Sequence, residues 1–136
     1  MSCDRTFPLM IGALACAVAV IPAATAADWS NAQQVDVQLS NFDFTPRTLT
    51  LRHGQPYRLR LTNRGSGGHN FAAPAFFSAA TIAPEDAGFI TKKGAVELKK
   101  GESRDVRIIP AKGRYKLKCT HFMHSGFGMK GEILVD

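Results

Sequence analysis

The stretch RYKLKCTHFMHSGFGMKGEILV, residues 114–135, decides how this chain is read. Its opening alternates: Tyr115, Leu117 and Cys119 fall on one face of an extended strand, while Lys116 and Lys118 fall on the other. Its end alternates too, with Ile133 and Val135 closing the chain as a second strand. Between the two runs a loop carries Cys119, His121, Met123, His124 and Met129, and Gly126 and Gly128 free it to curl. Cys119 is the last inward residue of its strand, so its thiol is expected to point into the end of a core.

Moving outward, the same period of two recurs. Val35, Val37 and Leu39 alternate with polar residues, as do Leu49 and Leu51, and then Tyr57, Leu59 and Leu61. Val96 with Leu98 and Val106 with Ile108 repeat it, and Gly, Pro or Asn breaks the pattern about every ten residues. One apolar face per strand with frequent turns predicts an all-β, antiparallel sandwich or barrel. Pro46 and Pro56 are placed at strand entrances or edges, where a missing N–H does least harm. Residues 72–94 depart from alternation. Within them Pro84-Glu85-Asp86 resembles a helical first turn, which predicts one short helix over about residues 84–90.

The first 26 residues predict an export signal. Arg5 supplies a positive start, residues 9–21 are nearly all apolar, and Ala24-Thr25-Ala26 is a small-x-small cleavage site. Pro22 ends the run short of the roughly 18–20 residues that span a bilayer. Ala13-Leu14-Ala15 is a poor signal for lipid attachment at Cys16. The expected organisation is a cleaved signal over residues 1–26 and one domain over residues 27–136, located in the periplasm or otherwise exported. Cys3 and Cys16 leave with the signal, so Cys119 remains alone in an oxidising compartment. A lone thiol there must be buried and inert, paired between chains or held by a metal.

The loop offers the means to hold a metal. His124 follows Cys119 by five residues and Met129 follows His124 by five. The best candidate for a fourth ligand is His69 in Gly65-Ser66-Gly67-Gly68-His69-Asn70-Phe71, where a glycine-rich turn strips bulk from around it; the alternative is a satisfied turn histidine. One thiolate, two imidazoles and a thioether make the soft, three-plus-one ligand set of a blue-copper electron-transfer site.

The pairing of Gly-Gly-His-Asn-Phe at residues 67–71 with Cys-x4-His-x4-Met-x-Gly at residues 119–131 resembles the cupredoxin family, which includes azurin, pseudoazurin and rusticyanin. That resemblance implies a Greek-key sandwich, and the short helix expected over about residues 84–90 then lies in the excursion after the first histidine ligand. It implies one copper ion cycling between Cu(I) and Cu(II), with His69, Cys119 and His124 as equatorial ligands and Met129 as the weak axial one. The carbonyl of Gly68 would approach from the opposite side. Asn70 would tie its loop to Thr120, and the edge of His124 would pass the electron. Phe122, Phe127 and Ala72 or Ala73 would form an apolar docking patch. His121 and Met123 are unusual company in such a loop, and His121 is read as a residue outside the ligand set.

The function expected is thus a small exported electron carrier; the alternative is a copper chaperone or store that passes Cu(I) onward through His121, Met123 and Met129. No Ser/His/Asp arrangement, phosphate loop or second metal cluster suggests an enzyme. The formal charge of +6 favours a transient redox partner with an acidic docking surface. The basic residues are scattered without interleaved aromatics, which argues against nucleic acid. No membrane span is expected after signal removal, and a monomer is expected.

Overall fold

The computed structural model describes residues 16–23, 25–121 and 126–136. Ten strands run in chain order: β1 (Gln33–Ser40), β2 (Asp43–Thr45), β3 (Thr48–Leu51), β4 (Tyr57–Asn63), β5 (His69–Ala72), β6 (Thr81–Ile82), β7 (Ala95–Leu98), β8 (Ser103–Ile109), β9 (Gly113–Lys118) and β10 (Lys130–Val135). They form two five-stranded sheets, ordered β2-β1-β4-β8-β6 and β3-β10-β9-β5-β7. The inward residues anticipated from alternation are the core: Val37, Leu39, Leu59, Leu61, Val106 and Ile108 from the first sheet face Leu49, Leu51, Leu117 and Ile133 from the second. Phe44 on β2 meets Phe71 on β5 edge to face across the interior, with ring centroids 6.1 Å apart.

The sandwich is as expected, but its sheets are mixed. β1 pairs with β4 in parallel, and β10 pairs with β3 in parallel. Alternation reports which face is buried and not which way a neighbour runs, so the direction was not legible. The chain passes from the first sheet to the second between β2 and β3, at the cis peptide Thr45-Pro46.

The helix is displaced from its expected place. It is α1 (Pro74–Ala79), with proline at its start and with Phe76 and Phe77 buried. Residues 87–89 form only a single 3-10 turn, Ala87–Phe89. The acids that looked like helix-dipole partners serve another purpose. Asp86 Oδ2 accepts hydrogen bonds from the backbone N–H of Arg107 at 2.9 Å and from its Nε at 2.8 Å, which fastens the excursion to β8. His69 also turned out to begin a strand. All four residues of β5 are buried, so no alternation marks them.

Candidate metal centre

Cys119 lies one residue beyond β9 and Met129 one residue before β10, and both are fully buried. The N–H of Cys119 donates to the carbonyl of Met129 at 3.1 Å, so the sheet ladder closes the base of the loop and brings the two sulfur residues together. From the neighbouring strand β5 comes His69, 2 % exposed. Its Nδ1 stands 3.9 Å from Cys119 Sγ. Thiolate and imidazole bonds of about 2.3 and 2.0 Å to one ion span such a separation. His69, Cys119 and Met129 therefore lie close together, as the spacing of their motifs anticipated. His124, the remaining expected ligand, lies outside the described residues, as do Phe122 and Met123.

The polar groups around these side chains hold them in place. The backbone N–H of Asn70 points at Cys119 Sγ at 3.5 Å, a donor suited to a thiolate. The Asn70 side chain reaches the other way. Its Oδ1 accepts from the N–H of Thr120 at 2.9 Å, and its Nδ2 donates to Thr120 Oγ1 at 2.6 Å and to Glu97 Oε1 at 2.7 Å. The tie between Asn70 and Thr120 is thus present and double. On the far side of the His69 ring, Nε2 is 3.4 Å from Asn41 Oδ1, which also accepts from Ser66 N–H at 2.9 Å. A proton on Nε2 facing that oxygen leaves the Nδ1 lone pair directed inward, toward the sulfur.

The glycine-rich turn has a steric reason. A Cβ on Gly65 would come 2.4 Å from His69 Nε2 and 2.8 Å from Asn41 Oδ1, so only glycine leaves room for the ring.

His121 sits at the rim. Its Nε2 is 2.9 Å from Glu97 Oε2, and its ring lies nearly parallel to that of His69 with centroids 6.5 Å apart. The apolar patch needs correction. Ala72 and Ala73 are buried and offer no docking surface. Phe127 is 62 % exposed and stacks at a tilt on Phe42, with centroids 5.5 Å apart. Asn41, Phe42 and Glu97 were not singled out from the sequence. Asn41 and Phe42 sit in the β1–β2 connection and Glu97 on β7, and only tertiary folding brings them to the site.

The sequence matches the family profile of the cupredoxin-like domain over residues 11–135, nearly its whole length. The chain belongs to the cupredoxin-like family. Among solved structures, this cupredoxin is similar to auracyanin B, with 24 % identity, 81 % of this chain and 93 % of that one covered, and a TM-score of 0.58. It is similar to the dithionite-reduced auracyanin of the photosynthetic bacterium Roseiflexus castenholzii (18 % identity, 77 % and 98 % covered, TM-score 0.57). It is also similar to auracyanin A of the green thermophilic photosynthetic bacterium Chloroflexus aurantiacus, described as a "blue" copper protein (19 % identity, 76 % and 99 % covered, TM-score 0.52). At these identities the likeness is one of fold. No curated protein sequence matches the chain significantly.

Proposed function

We propose that this cupredoxin is an exported, monomeric electron carrier with one type I copper ion, held by His69, Cys119, His124 and Met129. The observation that carries the proposal is the buried convergence of Cys119 Sγ and His69 Nδ1, 3.9 Å apart, at the base of the loop that Met129 closes. The donor set is soft and contains a thiolate, which suits copper. Bound copper supplies one-electron exchange between Cu(I) and Cu(II).

The chain's own residues do the rest. Asn70 holds the thiol loop to β5 through Thr120 and directs a backbone N–H at the sulfur. That N–H stabilises negative charge on sulfur, and such bonds tune the potential of a copper site. Asn41 and Gly65 set the orientation of the His69 ring. A frame fixed at so many points changes little between redox states, which keeps reorganisation small. The exposed Phe42–Phe127 pair gives a partner an apolar contact beside the loop, of the small kind used in transient redox encounters. Residues 1–26 would serve as the export signal. Among the described residues no helix is long and apolar enough to cross a membrane.

The test is the absorption spectrum of the copper-loaded domain. An intense visible thiolate-to-Cu(II) band is expected, absent in Cys119→Ser and retained in His121→Ala. If His121→Ala loses the band as fully as Cys119→Ser, the ligand assignment is overturned.

A further inference from the structure

The cationic side chains of this protein are sorted by type. All eight lysines lie between Lys92 and Lys130. Every ion pair among the described residues uses arginine or histidine and none uses lysine. On the first sheet and its excursion, carboxylates neutralise guanidinium groups: Asp105 with Arg60, and Asp86 with Arg107. The second sheet is different. Lys118 on β9 stands directly opposite Lys130 on β10, and Lys116 stands opposite Glu132, which Arg114 holds at 3.2 Å. Lys116, Lys118 and Lys130 are all exposed. Like charges directly opposed across an antiparallel pair weaken the pair, so this placement does not serve the sheet.

Its position is informative. Lys118 is bonded to Cys119, and Lys130 to Met129. The row through Lys118 continues across the sheet to Ala72 and Ala95. Beside Ala95 is a surface groove of about 450 Å³ lined by Thr91, Lys92, Lys93, Ala95, Glu97 and Thr120. Lysines thus flank the base of the thiol loop from two sides. Their flexible, strongly hydrated ammonium groups attract carboxylates without fixed geometry, which suits rapid association and release.

We propose that this face, formed by Lys116, Lys118 and Lys130 with Lys92 and Lys93, is the docking surface for an acidic protein partner. The proposal rests on the carrier function above and adds the side from which the partner approaches. A carboxylate-rich surface seated there lies against the two strand ends that carry Cys119 and Met129. The surplus positive charge steers it in, and the attraction weakens with salt.

The probe is a 20-residue polyglutamate peptide titrated into the 15N-labelled full domain at low and at physiological ionic strength. Amide shifts are expected to concentrate at Lys116, Lys118 and Lys130, and affinity is expected to fall at least tenfold in Lys118→Glu/Lys130→Glu. Lys118→Glu alone should weaken binding yet raise the melting temperature, because the new carboxylate faces Lys130. The control is Lys99→Glu/Lys100→Glu, which changes the net charge equally at the β7–β8 turn. Equal weakening in the two double variants overturns the proposal, since net charge alone would then account for binding. Binding to phosphatidylglycerol vesicles through the same residues, with no peptide shifts, overturns it in favour of a lipid surface. The titration needs no copper. Absence of the visible band with peptide mapping intact refutes the carrier function, and loss of mapping with the band intact refutes the docking face.

Discussion

Two segments leave this sandwich, and a single buried polar side chain ties each of them back. The thiol loop is tied by Asn70, which is neutral, 1 % exposed, and bonded to both the N–H and the hydroxyl of Thr120. The excursion after α1 is tied by Asp86, which is charged, 8 % exposed, and bonded to the backbone and guanidinium of Arg107. Asn70 also points its backbone N–H at Cys119 Sγ and donates from Nδ2 to the Glu97 carboxylate at 2.7 Å, so its place bears on the sulfur as well as on the loop. The bonds of Asp86 go to Arg107 on β8, and a charge-assisted pair of that kind is stronger than a neutral one. Asn70 is therefore expected to govern both stability and the electronic properties of the centre, and Asp86 stability alone.

The largest effect should follow Asn70→Ala. It strips three hydrogen bonds from a buried position and leaves Thr120 without its partner. A loss of about 2–3 kcal/mol is expected, from the cost of orphaned buried groups. Denaturant unfolding of the metal-free domain measures it. The copper-loaded variant should also show a shifted visible band and a changed potential. An unchanged spectrum would collapse the distinction between the two ties.

Asp86→Ala should cost less, about 1–2 kcal/mol, because the Arg107 side chain is 31 % exposed and water replaces part of the lost contact. Its visible spectrum should match that of the parent. A spectral change would show that the excursion reaches the centre after all.

The two ties should also separate by pH. Burial of Asp86 opposes its ionisation, but the hydrogen bonds and charge of Arg107 outweigh it, and its carboxyl is held below the ordinary value of 3.8. The unfolded chain then binds the extra proton first as pH falls. The contribution of Asp86 is thus complete above the unfolded pKa of about 3.9 and is lost as pH drops through the lower folded value. The stability gap between parent and Asp86→Asn should be constant from neutral pH down to about 5 and close in stronger acid. The part of the Asn70→Ala gap that comes from Thr120 should persist, since neither of those two bonds involves a titratable group.

The smallest effect is expected at Arg114–Glu132, a pair 3.2 Å apart on the outer face of the second sheet. With the arginine side chain 74 % exposed, Glu132→Gln should change stability by no more than about 0.5 kcal/mol. A larger loss would mean that surface charge contributes to this sheet as much as the buried ties do.

Much of this was legible before folding. Alternation at Val35–Leu39, Tyr57–Leu61 and Tyr115–Cys119 marked strands and their buried faces, because a half-buried strand must repeat every second residue. The helix was misplaced because Glu85 and Asp86 look the same in sequence whether they face a helix dipole or a distant arginine. β5 was missed because burial on both faces erases alternation. His69 and Cys119 were singled out by chemistry, the one in a glycine-rich turn and the other a solitary thiol. Asn41 and Glu97 had no such mark, since an exposed hairpin asparagine and a strand glutamate are common anywhere.

By itself, then, the order of residues determined which side chains of the alternating runs are inward and which soft donors exist to share an ion. These are local properties, set by backbone periodicity and side-chain chemistry. Only the tertiary structure decided that two strand pairs run parallel, that Asn41 backs the His69 ring, that Glu97 holds His121, and that three lysines collect beside the thiol loop. Each of those depends on register between residues 12 to 84 positions apart in sequence, such as Lys118 with Lys130 and Leu49 with Ile133, and no local rule specifies a pairing at that range.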